Sequence, residues 1–236
     1  MAPFLYQESY GSAQIRGNAD LQNGYNYNID LRYELFEKNG DMLSITAYYK
    51  HLKAPIERVQ TLSGGSAVHS FRNADNGMAT GVEIEFRKEI VKDLRFGVNG
   101  SYMYTNVKLP EGGAYTNSQR ALQGASPYLA NADLTYSPAF SNDRQLSVAL
   151  LYNLQGPRIH SVGISGLGDI KQQPVHTLNF TGSYRFNRRF AVKLQVNDLL
   201  NQDILFKQEV PTTGDKVEVE RFRKGTGFEV GFSYDL

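Results

Sequence analysis

The residues best suited to hold a metal or move a proton near neutral pH are four histidines, His51, His69, His160 and His176. They stand far apart, and none sits in a His-Glu-x-x-His or Cys/His spacing. Solvated places in loops or at strand ends are the default for them, so no metal, no cofactor and no catalytic residue is expected. Glu83 and Glu85 lie two apart and share a face on a strand, as the carboxylates of a hydrolase would. Charges on a wet face, balanced by Arg87 or Arg95, explain them better. Gly163 to Asp169, "GISGLGD", is rich in glycine but lacks the strand-to-helix pattern that cradles a phosphate, and reads as a flexible loop. "RFRKG" at 221–225 is a basic run that could meet anionic lipopolysaccharide or an acidic ligand, and a solvated strand end explains it equally well.

The composition removes several function classes. With 25 basic and 24 acidic residues among 236 the net charge is +1, which gives no global field to draw nucleic acid. There is no cysteine, so disulfides and thiolate metal sites are excluded. No stretch approaches the ~18 consecutive apolar residues of a membrane-spanning helix, and the mean hydropathy is −0.43. A membrane-spanning barrel survives that test, because alternation dilutes its apolar residues. The first residues, "MAPFLYQESYGSAQIRG", carry neither a basic leader nor an apolar core and are not read as a signal peptide. Fifteen Tyr and 13 Phe without Trp suit amphipathic membrane interfaces.

The elements that would position these residues are strands. Tyr25, Tyr27, Ile29, Leu31, Tyr33 and Leu35 alternate with Asn26, Asn28, Asp30, Arg32 and Glu34, and the same period of two returns along the whole chain. It is seen at Val82 to Arg87, Leu94 to Thr105, Tyr128 to Tyr136, Leu146 to Tyr152, Thr177 to Phe186, Phe190 to Asn197 and Phe228 to Leu236. Helical periodicity is nowhere sustained. Short turns fall near 37–41, 89–93, 137–145 and 187–189, and long segments rich in Gly, Ser and Asn near 51–77, 108–126, 157–174 and 198–226. In an antiparallel meander this places all tight turns at one end and all long loops at the other. Outer-membrane barrels have that layout, with short periplasmic turns and long outer loops. Tyr128 and Tyr136 flank Ala130, Ala132 and Leu134, and eight rises of about 3.3 Å tilted by roughly 40° separate those rings by about 20 Å along the membrane normal.

The expected fold is therefore all-β, an antiparallel meander of about ten long strands forming a transmembrane outer-membrane β-barrel. The tenth strand is counted around "APFLYQES", before Gly17. Two alternatives stand beside it: an autonomous ten-stranded outer-membrane barrel acting as a small channel or surface enzyme, and a soluble β-sandwich binding module.

Several segments resemble TonB-dependent outer-membrane receptors of the Bacteroidetes type. Gly17, Asn18, Asp20 and Leu21 before the "NIDLRYE" strand resemble that family's Gly-Asn-Pro-x-Leu-like motif, with Ala19 in the place of Pro. "SITAYYKHLKAPIE" at 44–57, "NADNGMATGVEIEFRK" at 73–88, "RALQGASPYLANADLTYSP" at 120–138, "VNDLLNQ" at 196–202 and the closing "GFEVGFSYDL" follow in the family's order. The chain ends on Leu236, where such barrels most often end on an aromatic. The resemblance implies that residues 1–236 are the C-terminal segment of a larger barrel, a fragment with no plug domain. It further implies energy-coupled uptake of a scarce nutrient such as a siderophore, cobalamin or saccharide, without enzymatic activity. The implied partners are outer-membrane lipid, the plug domain and remaining barrel strands upstream, and TonB acting through the plug. A lipoprotein partner, or self-pairing of the fragment, stays open. Ligand contact is expected in the outer loops from Phe71, Arg72, Tyr115, Arg120 and His160, because planar guanidinium and aromatic groups grip a ligand with little loss of entropy.

Overall fold

The alternating pattern is realised as strand throughout. A computed structural model describes residues 7–10, 13–63, 66–110, 115–140 and 143–234, and among these every regular element is a β-strand. In chain order they are β1 (Gln7–Tyr10), β2 (Ala13–Arg16), β3 (Tyr25–Phe36), β4 (Met42–Lys53), β5 (Ile56–Ser63) and β6 (Ser66–Asn73). Then come β7 (Asn76–Val91), β8 (Leu94–Lys108), β9 (Gln119–Arg120), β10 (Tyr128–Tyr136), β11 (Gln145–Gln155) and β12 (Arg158–Ser161). The series ends with β13 (Ile170–Gln172), β14 (Val175–Arg185), β15 (Phe190–Asn197), β16 (Ile204–Val210), β17 (Asp215–Phe222) and β18 (Gly227–Tyr234).

The long strands form one antiparallel wall in the order β18-β15-β14-β11-β10-β8-β7-β4-β3, and β9 pairs with β8 off that path. The path is a meander whose short and long connections alternate as the sequence predicts. β3 and β18 are its two open rims, and both run from the long-loop end to the short-turn end.

Register explains why each residue faces where it does. Leu31, Ala47, Val82, Tyr102 and Tyr128 are successive cross-strand partners on one face, as are Leu134, Leu150, Phe180, Val196 and Phe228. The opposite face carries Arg32, Thr46, Glu83 and Ser101 in one row and Asn99, Asn131 and Asn153 in another. The three asparagines are hydrogen-bonded in series: Asn131 Nδ2 donates to Asn99 Oδ1 at 2.7 Å and Asn153 Nδ2 to Asn131 Oδ1. A slip of one residue would exchange these faces, so the pattern fixes the register.

The apolar face looks outward. Ile29 and Leu31 are 73% and 76% exposed, and Phe228 and Phe232 are 75% and 72% exposed. A β-sandwich buries that face between two sheets. Here the buried apolar cluster, Val59, Ala74, Val107 and Leu109 with Tyr115 and Leu122 against it, lies beneath the long loops instead. An apolar face of this extent needs lipid against it, because water would drive it to aggregate. Aromatic pairs border it at both ends. Near the short turns Tyr184 meets Phe186 edge-on with ring centroids 4.6 Å apart, and Phe186 stacks on Phe190 at 5.3 Å. Tyr27 and His51 lie 6.2 Å apart at the long-loop end, where the Tyr152 hydroxyl also meets His176 Nδ1 at 2.6 Å.

One element differs from expectation. The strand counted around "APFLYQES" does not join the wall: its described part, β1, pairs with β2, which runs parallel to β6 in a separate four-stranded sheet, and residues 2–6 lie outside the described residues. The wall path therefore holds nine long strands. The cause is the approach to β3, which is fastened to the first long loop. Asn73 Nδ2 donates to the Gln22 and Ala54 carbonyls at 3.0 and 2.8 Å, its Oδ1 accepts from the Gln22 N–H at 2.8 Å, and Asn18 Nδ2 donates to the Phe71 carbonyl at 2.8 Å. Gly24 is required there, since a Cβ would come within 2.9 Å of the Ala54 carbonyl oxygen.

Candidate functional site

Among the described residues, the four long connections are built rather than loose. The first carries the β5–β6 hairpin, the second carries β9, and the third and fourth are joined as one sheet in the order β12-β13-β16-β17. The second also pairs with the third: Tyr115 bridges Ile164, Thr116 N–H donates to the Gly163 carbonyl at 2.8 Å, and Gly124 N–H to the Ile159 carbonyl at 3.0 Å. The glycine-rich segment, expected as a flexible loop, is packed into this layer. Gly163 N–H donates to Asp169 Oδ1 at 2.8 Å, and a Cβ on Gly168 would meet the Glu209 carbonyl oxygen at 2.7 Å.

At the centre is a buried ion pair. Arg120 Nη1 on β9 stands 2.9 Å from Glu57 Oε2 on β5, with the two side chains only 3% and 6% exposed. Arg120 also donates to the Ala121 carbonyl at 3.1 Å. Burial raises the Glu57 carboxyl above its ordinary range, against the opposing pull of the Arg120 guanidinium and the Gln123 backbone N–H. Gln123 Nε2 continues the chain of contacts to the His160 carbonyl at 2.7 Å. His160 on β12 packs edge-on to Phe206 on β16 at 4.7 Å, so first, second, third and fourth connections are linked in sequence.

Two imidazoles lie inside this layer. His69 is buried, its Nε2 is 3.1 Å from Gln60 Nε2, and its Nδ1 has no hydrogen-bond partner among the described residues. Burial, with the Arg58 charge and His160 adding to it, lowers its pKa to about 4. His160 is lowered by burial and by Arg58 and Arg158, against the opposing charge of Glu220. The solvated setting expected of the histidines is therefore corrected for His69: the β5–β6 hairpin folds it under the layer. At neutral pH the His69 ring is uncharged, which suits its burial. Among the described residues no three His, Asp or Glu side chains converge to hold a metal.

The five expected contact residues fall into two places. Phe71 and Arg72 on β6 line an open cleft of about 600 Å³ with Asn18, Asp20 and Asp75 at the base of the first loop. Tyr115 packs on the buried apolar cluster, Arg120 is in the ion pair, and His160 lies against Phe206. A second cavity of about 680 Å³ opens on the wet face beneath the layer, lined by Asp30, Tyr48, Glu83, Gln155 and Arg158 among others. Glu85 is balanced by Arg87 at 2.6 Å as expected. The basic run at 221–225 is not a free cationic patch: Arg221 pairs with Glu218 at 2.7 Å and with Asp203 at 3.3 Å, and Arg223 pairs with Asp203. Sequence reasoning missed Glu57, whose partner lies 63 positions along the chain; the only signal was a carboxylate among the apolar positions of "IERV".

No curated protein matches this chain. Solved structures do. A mutant of the ferric enterobactin receptor from Pseudomonas aeruginosa, in complex with enterobactin, is similar over 94% of this chain and 33% of its own, with 18% identity and a TM-score of 0.65. The ferric yersiniabactin uptake receptor from Yersinia pestis is similar over 90% of this chain and 30% of its own, with 18% identity and a TM-score of 0.62. The copper transporter OprC covers 92% and 32%, with 15% identity and a TM-score of 0.64. The chain thus spans about a third of the length of the solved proteins it matches. With an outward apolar face between aromatic borders, a wet inner face, and a family profile matching residues 1–234, the chain belongs to the outer membrane protein beta-barrel family.

Proposed function

We propose that this chain is the C-terminal part of the barrel of a TonB-dependent receptor, which takes up a scarce nutrient across the outer membrane. The observation that carries the reading is the layer over the wet face, where all four long connections are tied together through Glu57, Arg120, Gln123 and His160. A simple channel works best with an open mouth, whereas a receptor must hold a fixed outer surface for its ligand. The wet face below suits a polar folded plug, through which TonB would act. The similar structures are described as receptors for ferric enterobactin and ferric yersiniabactin and as a copper transporter, so a metal chelate is the first ligand class to test. Phe71 and Arg72, in the open cleft, are assigned to ligand contact; Tyr115, Arg120 and His160 hold the loops that shape it. No enzymatic activity is part of this reading.

The test has two readings of one preparation. The native polypeptide carrying this sequence is recovered from the outer membrane, its intact mass is measured, and binding of ferric chelates is titrated. A mass well above 26.5 kDa and saturable binding are expected. A mass near 26.5 kDa would overturn coupled uptake in favour of a small autonomous barrel.

A further inference from the structure

The lipid-facing side of the wall repeats one arrangement on two upward strands. On β4 the outward residues at the loop end are Tyr49, His51 and Lys53, and on β8 they are Tyr104, Asn106 and Lys108. Register places Lys53 and Lys108 in a single cross-strand row, each paired with Asn76 of the strand between them. Tyr49 and Tyr104 likewise share a row through Thr80. Each lysine lies four residues beyond its tyrosine, about 13 Å along the strand and roughly 10 Å along the membrane normal at the usual tilt. Tyrosines mark the edge of the hydrocarbon, so the ammonium groups stand at the depth of lipid headgroups. Both lysines are exposed, and neither forms an ion pair among the described residues. Elsewhere at the loop end the opposite arrangement holds, since Arg221 and Arg223 are occupied by Glu218 and Asp203.

We propose that Lys53 and Lys108, above Tyr49 and Tyr104, form a site for a phosphate-bearing headgroup of an outer-leaflet lipid. Two strand spacings separate the lysine Cα atoms by about 10 Å, and each flexible stem reaches several ångströms, so the pair can close on one phosphate or hold two on the same headgroup. Charge complementarity selects the anion, and the tyrosine rings beneath supply the flat apolar contact for the first part of the acyl chains. The Asn76 and Asn106 side chains in the same area offer neutral donors. The inference rests on the outer-membrane placement of the wall and is independent of what the loops bind.

The test is native mass spectrometry of the full protein carrying this sequence, taken from phosphatidylcholine nanodiscs with and without lipid A. Retention of lipid A is expected, weakened about fivefold by Lys53→Ser or Lys108→Ser and about twentyfold or more by both together. The pair Lys53→Arg with Lys108→Arg retains the lipid and shows that the wall is folded. Lys50→Ser, three residues from Lys53 on the opposite face, leaves retention unchanged. Equal retention in the double serine variant would overturn the site, as would a loss of similar size in Lys50→Ser. Inorganic phosphate competing as strongly as the lipid would also overturn it, because the lysines would then read a free anion and not a membrane component.

Discussion

Breaking the Glu57–Arg120 pair from one side should loosen the outer layer without unfolding the wall. At 2.9 Å and an effective dielectric of about 20, the attraction is about 6 kcal/mol, and each ion gives up several kcal/mol of hydration to be there. The two effects nearly cancel, in keeping with a Glu57 carboxyl that burial raises despite its cation. Replacing Glu57 with Leu removes the attraction and leaves Arg120 buried with its desolvation cost, for a loss of about 3 to 5 kcal/mol. Arg120→Met has the mirror effect. The double variant, Glu57→Leu with Arg120→Met, removes both costs and should fall within about 1 kcal/mol of the native protein. Hydrogen exchange at the amides of β5, β9 and residues 121–124 reads this locally. Each single variant should speed exchange by roughly a hundredfold to a few thousandfold, at about 1.4 kcal/mol per factor of ten, while amides in the middle of β7, β8 and β10 stay slow. Single variants costing under about 1 kcal/mol, or a double variant costing the sum of the singles, would refute the argument that burial and attraction oppose each other here.

Other outcomes follow from the same geometry. His69, with its folded pKa near 4 against 6.5 for the free ring, stabilises the loop layer fully above pH 6.5 and loses that contribution as pH falls through 4. Exchange in β5 and β6, corrected for intrinsic rates, should accelerate over that window by an amount on the order of 2 to 3 kcal/mol, and His69→Gln should flatten the dependence; an unchanged slope would exclude His69 as the source. Gly81→Ala should cost about 1 to 3 kcal/mol in a urea titration, because the new methyl would collide with the Tyr102 carbonyl oxygen and come within 2.6 Å of the Tyr48 hydroxyl. Arg72→Ala should weaken ligand binding by about tenfold or more, the worth of one charge-assisted hydrogen bond, with unchanged thermal stability. Arg221→Ala, whose charge is already taken by Glu218 and Asp203, should leave binding unaltered; the reverse ranking would move the ligand to the fourth loop.

Much of the wall was readable because a period of two is a local signal: Tyr25 to Leu35 declare their face without reference to any other strand. The alternation of short and long connections was equally local, carried by turn chemistry such as Gly40, whose φ of 86° suits only a few residues. The outer layer was not readable, because its contacts are distant in sequence. β2 meets β6 in parallel across more than fifty residues, and Glu57 meets Arg120 across 63, so no window of the chain contains both partners. The same reason explains His69, which looks like any loop histidine until the β5–β6 hairpin buries it within reach of the Arg58 charge and of His160 on the third connection. Arg72 and Phe71 were singled out by residue type alone, and the cleft that they line is shared with the distant residues Asn18 and Asp20.

The two rims of the wall, β3 and β18, descend in the same direction, and this imposes a rule of arithmetic on whatever closes the tube. A ring in which every neighbour runs opposite to the next must be filled by a set of strands that both starts and finishes going up. Such a set is odd in number, and the completed ring is even. A second copy of this wall, presented in the same membrane orientation, offers descending rims to descending rims and would have to close on two parallel seams. The edges therefore discriminate between partners before any side chain is consulted, favouring an ascending strand on each flank over another copy of themselves.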